Sequence, residues 1–304
     1  IYFAVTVSQS NRIGLDPYLD MQGLTFQLKS HKTSPVDQEM MYKNLMTKIG
    51  PDDWSSGFTM AGFNSQNDNG YTNWSREYQP GYMFRNLGNK ETYYNDQVIR
   101  LLQNYRSAYM QLAVTYYMDY QQEKRKKTPD EYVLTDLSEK AITVLDQMRF
   151  NIPESTIPIT SEDLHYQVAR LYGDLDRKES MKNILDELIS MKGLSPSNKV
   201  EYANVYFREL DDIETAINIL SGLQNEFIQM ENMVKINGFS KGSVSSKRWK
   251  RWQKAFPDIV SSLVYIYKST DQKLEAEDVL VDWISRFPND NNAKKLLEEV
   301  RIRD

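Results

Sequence analysis

The sequence predicts a mainly α-helical protein, built as a stack of helical hairpins with a small β-containing segment at its N-terminal end. Three observations lead to this fold class. A helical period of apolar residues begins near Asp96 and continues along the rest of the chain. Within that region a small residue followed three positions later by tyrosine recurs four times. Before residue 95 the apolar runs are short and are interrupted by turn-forming residues.

The opening segment contains two candidate strands. Residues 1–7 form a β-branched and aromatic run, and Leu24, Phe26 and Leu28 alternate with polar residues. The Asn, Gly, Asp and Pro residues of 11–17 predict a turn between the two strands. Because the strand pattern is already under way at Ile1, with no Met and no signal peptide, we expect the sequence to be a segment of a longer protein.

The helical region carries a recurring pair, an Ala or Val with a Tyr three residues later. This spacing puts both side chains on one helix face, where the small residue lets a neighbouring helix approach closely. The four copies are Ala113 with Tyr116, Ala169 with Tyr172, Ala203 with Tyr206, and Val264 with Tyr267. The second and third copies are 34 residues apart, which is the period of tetratricopeptide (TPR) repeats.

A second pattern marks the partner helices, in which an apolar residue is followed four and seven positions later by two more. The four sets are Ala141, Leu145, Met148; Met181, Leu185, Leu188; Ala216, Leu220, Leu223; and Ala276, Leu280, Trp283. The Ala216 set lies one residue late, which predicts an insertion in the turn after Tyr206. The pattern resembles four degenerate TPR units over residues 97–300, with a long interruption at 228–256.

Helical pairs of this kind bury their apolar faces by stacking, and we expect the stack to form a concave groove that holds a protein segment. The predicted organisation is a loop-rich N-terminal segment (1–95) followed by a TPR-like repeat domain (96–304). The boundary near residue 95 is where the apolar period changes.

Composition excludes several function classes. The 304 residues carry a net charge of −5, which argues against a general nucleic-acid-binding protein. The lack of cysteine excludes disulfides, thiol nucleophiles and cysteine-based zinc sites, and two histidines cannot form a three-histidine metal site. No Gly-rich phosphate-binding loop occurs, and no apolar run approaches the ~18 residues of a membrane span. We predict no catalytic residue, metal or cofactor in this chain.

A basic stretch with two tryptophans is the first candidate contact region. Six of the fourteen residues from 241 to 254 are basic, and we single out Lys247, Arg248, Trp249, Arg251 and Trp252. The stretch could rest on an anionic membrane surface or an acidic glycan. Alternatively, the two tryptophans dock into the helical stack while the cations point to solvent.

An aromatic-rich stretch at 54–94 is the second candidate region. Its aromatic residues lie among Gly, Asn and Ser, which predicts a long loop, and long loops in compact domains are often functional. Trp54, Trp74 and Tyr78 could stack on sugar rings. Equally, the aromatic residues of this stretch could hold the loop against the helices.

Several short motifs outside the repeat pattern resemble one family. They are Ile1-Tyr2-Phe3-Ala4, Ile13-Gly14-Leu15-Asp16, Tyr18-Leu19, Met21-Gln22-Gly23-Leu24, Phe84-Arg85-Asn86-Leu87, Tyr93-Tyr94-Asn95-Asp96 and Asn104-Tyr105-Arg106-Ser107. In this order they are similar to the soluble C-terminal region of membrane proteins of Bacteroidetes that are classed as GT-C type glycosyltransferases, family 117. Animal relatives of that family are protein O-mannosyltransferases with a TPR-like C-terminal part.

The resemblance implies a non-catalytic, periplasmic module that is tethered to the inner membrane by an upstream membrane domain. The catalytic residues of the whole glycosyltransferase would lie in that domain, so none is carried over here. We expect the module to bind an acceptor protein or another polypeptide partner in its groove. Two alternatives stay open, a carbohydrate-binding module that uses the 54–94 aromatics and a structural spacer that docks on the membrane domain.

Overall fold

The computed structural model describes residues 1–47, 81, 82, 84, 86–191, 193–239 and 244–302. These residues form three short strands and ten α-helices, so the predicted mainly α fold class is confirmed. The chain divides into two compact units, Ile1–Leu175 and Asp176–Asp304. The predicted boundary near residue 95, between the β-containing segment and the repeats, stays a prediction. Among the described helices none is both long and apolar enough to cross a membrane.

The first unit begins with a three-stranded antiparallel sheet in the order β1–β3–β2. Its strands are β1 (Tyr2–Ala4), β2 (Leu19–Met21) and β3 (Thr25–Leu28). The sequence predicted β1 and β3 but missed β2, because the polar Asp20 breaks its apolar pattern. Asp20 is nevertheless buried, and its carboxylate is compensated by Lys29 Nζ at 3.2 Å and the Gln22 amide at 3.3 Å.

Helices α1 (Gln38–Met46), α2 (Asp96–Lys124), α3 (Glu131–Asn151) and α4 (Glu162–Asp174) complete the first unit. Asn95 starts α2 as its N-cap, since its side-chain oxygen accepts a hydrogen bond from the Val98 amide at 2.9 Å. The Tyr109 hydroxyl links three helices, because it donates to the Leu45 carbonyl at 2.7 Å and accepts from the Asn151 amide at 2.7 Å.

The described residues of the second unit form helices and their connecting turns, without strands. The helices are α5 (Lys178–Ser190), α6 (Pro196–Arg208), α7 (Ile213–Asn237), α8 (Ser246–Ser269), α9 (Lys273–Arg286) and α10 (Asn291–Ile302). Helix α6 packs on α7 and α8, α7 on α8, and α9 on both α8 and α10. The interruption of the repeat pattern at 228–256 is largely helical, since its two ends continue α7 and begin α8.

The repeat residues form the cores of these units. All twelve residues of the partner-helix pattern are buried, as are the four small residues and Tyr116, Tyr172 and Tyr206 of the recurring pair. Helices α4, α6 and α8 each end two residues after the repeat tyrosine. The turn after Tyr206 is one residue longer than the turns after Tyr172 and Tyr267, so the predicted insertion is confirmed.

An aspartate with a left-handed backbone occupies each of these three turns. Asp176, Asp211 and Asp271 have φ values of 60°, 56° and 59°. Aspartate tolerates this conformation better than most residues because its short side chain can bond to the nearby backbone. The three turns therefore share one left-handed backbone conformation, which the sequence pattern of the helices did not indicate.

Each of two repeat tyrosines donates its hydroxyl to an aspartate on the preceding helix. In the first unit Tyr172 bonds to Asp146 Oδ1 at 2.6 Å, and in the second unit Tyr206 bonds to Asp186 Oδ1 at 2.5 Å. Both aspartates directly follow the middle leucine of the partner-helix pattern. Burial, followed by the neighbouring aspartate, raises the pKa of each tyrosine above its ordinary value, so both remain donors at neutral pH.

Candidate functional site

The basic stretch lies in the first half of α8. Ser245 starts this helix as N-cap, with its hydroxyl accepting a hydrogen bond from the Arg248 amide at 3.2 Å. One side of the stretch faces the core: the Trp249 ring stacks on Phe227 with centroids 5.2 Å apart, and Phe227 stacks on Phe256 at 4.1 Å. Trp252 is only 5% exposed. The interpretation that the two tryptophans dock into the helical stack is therefore confirmed.

The exposed surface of the stretch is cationic, and we call it the α8 basic face. It comprises Lys247, Arg248, Lys250, Arg251 and Lys254, all exposed to solvent. Among the described residues none forms an ion pair with these five side chains. Their charges remain available to an external anion, whereas the tryptophans are committed to packing.

Two arginines of the α8 basic face border a cavity of about 410 Å³ within the second unit. We call it the α6–α8 cavity because those helices, the loop before α6 and one side of α7 enclose it. Its lining residues are Met191, Gly193, Leu194, Ser195, Pro196, Lys199, Leu223, Glu226, Arg248, Arg251 and Trp252. The volume falls in the range of pockets that bind small ligands or a few side chains.

Positive charge is in excess around the α6–α8 cavity. Lys199, Arg248 and Arg251 line it against a single carboxylate, Glu226, whose oxygen lies 3.8 Å from Lys199 Nζ. The apolar part of the lining includes Leu223 and Trp252, both almost fully buried. Such a lining suits a ligand that combines a carboxylate with an apolar side chain, since arginine binds carboxylates in a bidentate manner.

The structure describes part of the second candidate region. Trp54, Trp74 and Tyr78 lie outside the described residues, so their role as sugar or partner contacts stays a prediction. Within the same stretch, Tyr82 and Phe84 pack edge-on against Tyr105, with centroids 5.2 and 5.3 Å apart. These two aromatics hold the chain against α2, as the packing interpretation predicted.

The three motifs of residues 84–87, 93–96 and 104–107, which are part of the family resemblance, come together around the first turns of α2. Phe84, Leu87, Tyr94 and Tyr105 pack against the buried cluster of Leu102, Ile152 and Ile157. Tyr82 also reaches the N-terminal sheet, where its hydroxyl accepts a hydrogen bond from the Leu24 amide at 3.0 Å. In these positions the motif residues stabilise the first unit.

Arg106, another residue of those motifs, is almost completely buried. Its guanidinium donates hydrogen bonds to the carbonyls of Pro158 at 3.0 Å and Ile152 at 2.9 Å, and also to the carbonyl of Ile157. Burial lowers its pKa to about 10, which still leaves it charged at neutral pH. Arg106 thus holds the loop after α3 in place, a role that its residue type did not suggest.

Both histidines lie in the first unit. His165 is buried in α4, and its Nε2 lies 2.8 Å from Glu154 Oε2, consistent with a packed histidine. His31 lies in the loop after β3. Sequence reasoning missed Lys199 and Glu226, whose place beside the α8 basic face depends on packing between separate helices.

Comparison with known proteins adds no relative to this picture: no protein-family model matches the chain, and no curated protein matches it. The resemblance to family 117 glycosyltransferases therefore rests on the short motifs alone and stays a prediction.

Proposed function

We propose that this chain is a non-catalytic helical-repeat module that binds a polypeptide, either an acceptor protein or another partner. In the full-length protein it would serve a GT-C type membrane glycosyltransferase similar to family 117, and it would work on the periplasmic side of the inner membrane. The repeat fold supports this proposal because stacks of helical pairs present extended surfaces to protein segments. The motif resemblance supports the link to a glycosyltransferase.

The α6–α8 cavity is the observation that carries the proposal. Its lining includes the apolar side chains of Leu223 and Trp252 and two arginines that have no ion-pair partner among the described residues. A peptide segment could place an apolar side chain near Trp252 and a carboxylate against Arg248 or Arg251. The same lining offers donors and apolar surface for binding, which is what a recognition module needs.

The two arginines are expected to contribute modestly but measurably. Both are exposed, so each carboxylate contact should add about 1 kcal/mol to the binding free energy, or about fivefold in affinity. Neutralising both should therefore weaken binding by about 30-fold. The apolar lining residues are unaffected by that change.

A capture experiment tests this function. The purified chain, the variant R248Q/R251Q and the control K294Q/K295Q would be incubated with cell-envelope proteins, and the bound proteins identified by mass spectrometry. The control loses the same charge from α10, where both lysines are exposed. We expect a short set of proteins bound by the original chain and by the control but depleted with R248Q/R251Q.

Two results would count against the proposal. The same proteins at the same yields with all three chains would show that the cavity arginines do not select a partner. Turnover of a lipid-linked sugar by this chain alone would show that the module is catalytic. The second assay needs no knowledge of the partner.

A further inference from the structure

Helices α7 and α8 are almost twice as long as their neighbours in the second unit. They contain 25 and 24 residues, whereas α5, α6 and α9 contain 13, 13 and 14. At 1.5 Å per residue, the extra turns add about 16 Å to each helix. The added length is at the end of α7 and the start of α8. We call residues 232–239 and 244–254 the α7–α8 tip.

The tip is strongly cationic in an otherwise acidic chain. From Asn232 to Pro257 there is no Asp or Glu, while the same stretch contains seven Lys or Arg residues. One of them, Lys235, is paired with Glu231 at 3.1 Å. The chain as a whole has a net charge of −5, so positive charge is concentrated here rather than spread over the surface.

Exposed apolar side chains accompany this charge. Met233, Ile236 and Phe239 are 49%, 80% and 53% exposed, and they follow one another at intervals of three residues. That spacing places Met233 and Ile236 on one side of the last turns of α7. Single exposed apolar side chains are common, but neighbouring ones form a patch, and such patches occur at surfaces that meet partners or membranes.

The cationic side chains of α8 lie on two different sides of the helix. With about 100° of rotation per residue, Lys247, Lys250 and Lys254 lie within about 60° of one another, on the side opposite Phe256. Arg248 and Arg251 are rotated toward Trp252 and line the α6–α8 cavity instead. The lysines therefore form a separate, solvent-facing group that the proposed polypeptide site does not use.

We infer that the α7–α8 tip docks on the surface of a lipid bilayer that contains anionic lipids. Lysines near a membrane surface are attracted by anionic headgroups, and exposed aliphatic and aromatic side chains enter the interface between headgroups and acyl chains. The tip combines both elements and has no acidic side chain to repel the headgroups. This inference is independent of the proposed polypeptide binding, because it uses other residues.

Vesicle co-sedimentation tests it. The chain would be mixed with vesicles of phosphatidylcholine alone and with vesicles that also contain phosphatidylglycerol. We expect binding to the anionic vesicles only, and weaker binding as salt is added, because salt screens exposed charges. The variant K247Q/K250Q/K254Q should bind about 100-fold more weakly at low salt, since each lysine near the surface contributes about fivefold.

Matched variants separate the tip from general charge effects. The control K178Q/K294Q/K295Q removes three exposed lysines elsewhere in the second unit and should bind like the unaltered chain. I236S/F239S should weaken binding while leaving every charge in place, whereas L274S, at a residue 76% exposed in α9, should not. R248Q/R251Q distinguishes the two proposals, because it should impair capture of a polypeptide far more than K247Q/K250Q/K254Q does.

Several outcomes would overturn the inference. Equal binding to neutral and anionic vesicles would exclude an electrostatic contact, and equal losses in the tip variant and its control would exclude the tip as its location. No binding to either kind of vesicle would exclude docking on a bilayer altogether. Binding to a single-stranded oligonucleotide that exceeds vesicle binding, and depends on the same lysines, would indicate a nucleic-acid surface instead.

Discussion

The hydrogen bond from Tyr206 to Asp186 offers a quantitative test of how the repeats are held together. Tyr206 is fully buried, and its hydroxyl lies 2.5 Å from Asp186 Oδ1. The substitution Tyr206→Phe removes this bond but keeps the ring and its packing. A hydrogen bond to a charged group is worth about 1.5–3 kcal/mol. Because Asp186 is exposed and can be rehydrated, we expect a loss near 1.5 kcal/mol in the free energy of unfolding.

A double-mutant cycle isolates the bond itself. Asp186→Ala alone should cost about the same as Tyr206→Phe, and the double variant should cost little more than either. The expected coupling energy is about 1 kcal/mol. Tyr265→Phe serves as the control, since this tyrosine is 54% exposed in α8 and should lose almost nothing.

The assay is urea unfolding at neutral pH, followed by circular dichroism and analysed with equal slopes for all variants. A coupling energy below about 0.3 kcal/mol would contradict a stabilising bond between Tyr206 and Asp186, because additive effects indicate independent residues. A loss as large for Tyr265→Phe would also count against this bond, since that tyrosine is 54% exposed. The same cycle on Tyr172 and Asp146 should reproduce the result in the first unit.

Three further predictions concern the first unit. Arg106→Ala should destabilise it by about 3 kcal/mol or more in urea unfolding, because three carbonyls lose a charged donor, and Arg106→Lys should recover only part of this. Gly23→Ala should cost about 1–3 kcal/mol, since Gly23 has φ of +116° and an added Cβ would lie 2.4 Å from the Tyr82 hydroxyl. Adding Tyr82→Phe to the Gly23→Ala variant should recover part of the lost stability, because it removes the hydroxyl that the added Cβ would meet. No recovery would contradict this clash. Burial raises the pKa of Tyr109 and Tyr116 to about 12, above the value near 10 in the unfolded chain. The free energy of unfolding should therefore be unaffected by these tyrosines below about pH 10. Between about pH 10 and pH 12 it should fall by about 1.4 kcal/mol per pH unit for each tyrosine.

Much of the helical fold could be predicted from the sequence because its cause is local. The spacing of Ala203 and Tyr206 defines one helix face, and the position of Ala216 even revealed the extra residue in the turn between α6 and α7. Helical periodicity depends on neighbours three and four residues away, which one sequence displays directly.

The side-chain hydrogen bonds between helices could not be predicted in the same way. Asp146 and Asp186 look like ordinary solvated residues among 42 acidic side chains, and only packing brings them to the tyrosine hydroxyls. Nothing in the local sequence indicates the burial of Arg106, since arginine is seldom fully buried. Strand β2 was missed because Asp20 is compensated by residues that a local pattern does not connect with it.

Only the basic stretch of the candidate site could be predicted from the sequence. The charge of the basic stretch and the packing of Trp249 and Trp252 follow from helical spacing, which puts the rings on one side. The α6–α8 cavity does not, because Lys199 and Glu226 lie on other helices and precede Arg248 by 49 and 22 residues. A cavity arises from the way separate elements pack, and the sequence alone does not give that geometry.

The most direct test of polypeptide binding at the α6–α8 cavity is site-specific photo-cross-linking. A photoreactive phenylalanine derivative would replace Leu194, which lines the cavity, or Leu274, which is exposed in α9 as a control. After irradiation with envelope proteins, the cross-linked peptides would be sequenced. Our account predicts peptides rich in Asp and Glu at position 194, lost when Arg248 and Arg251 are neutralised, and no such enrichment at position 274. Identical cross-links at both positions would contradict it.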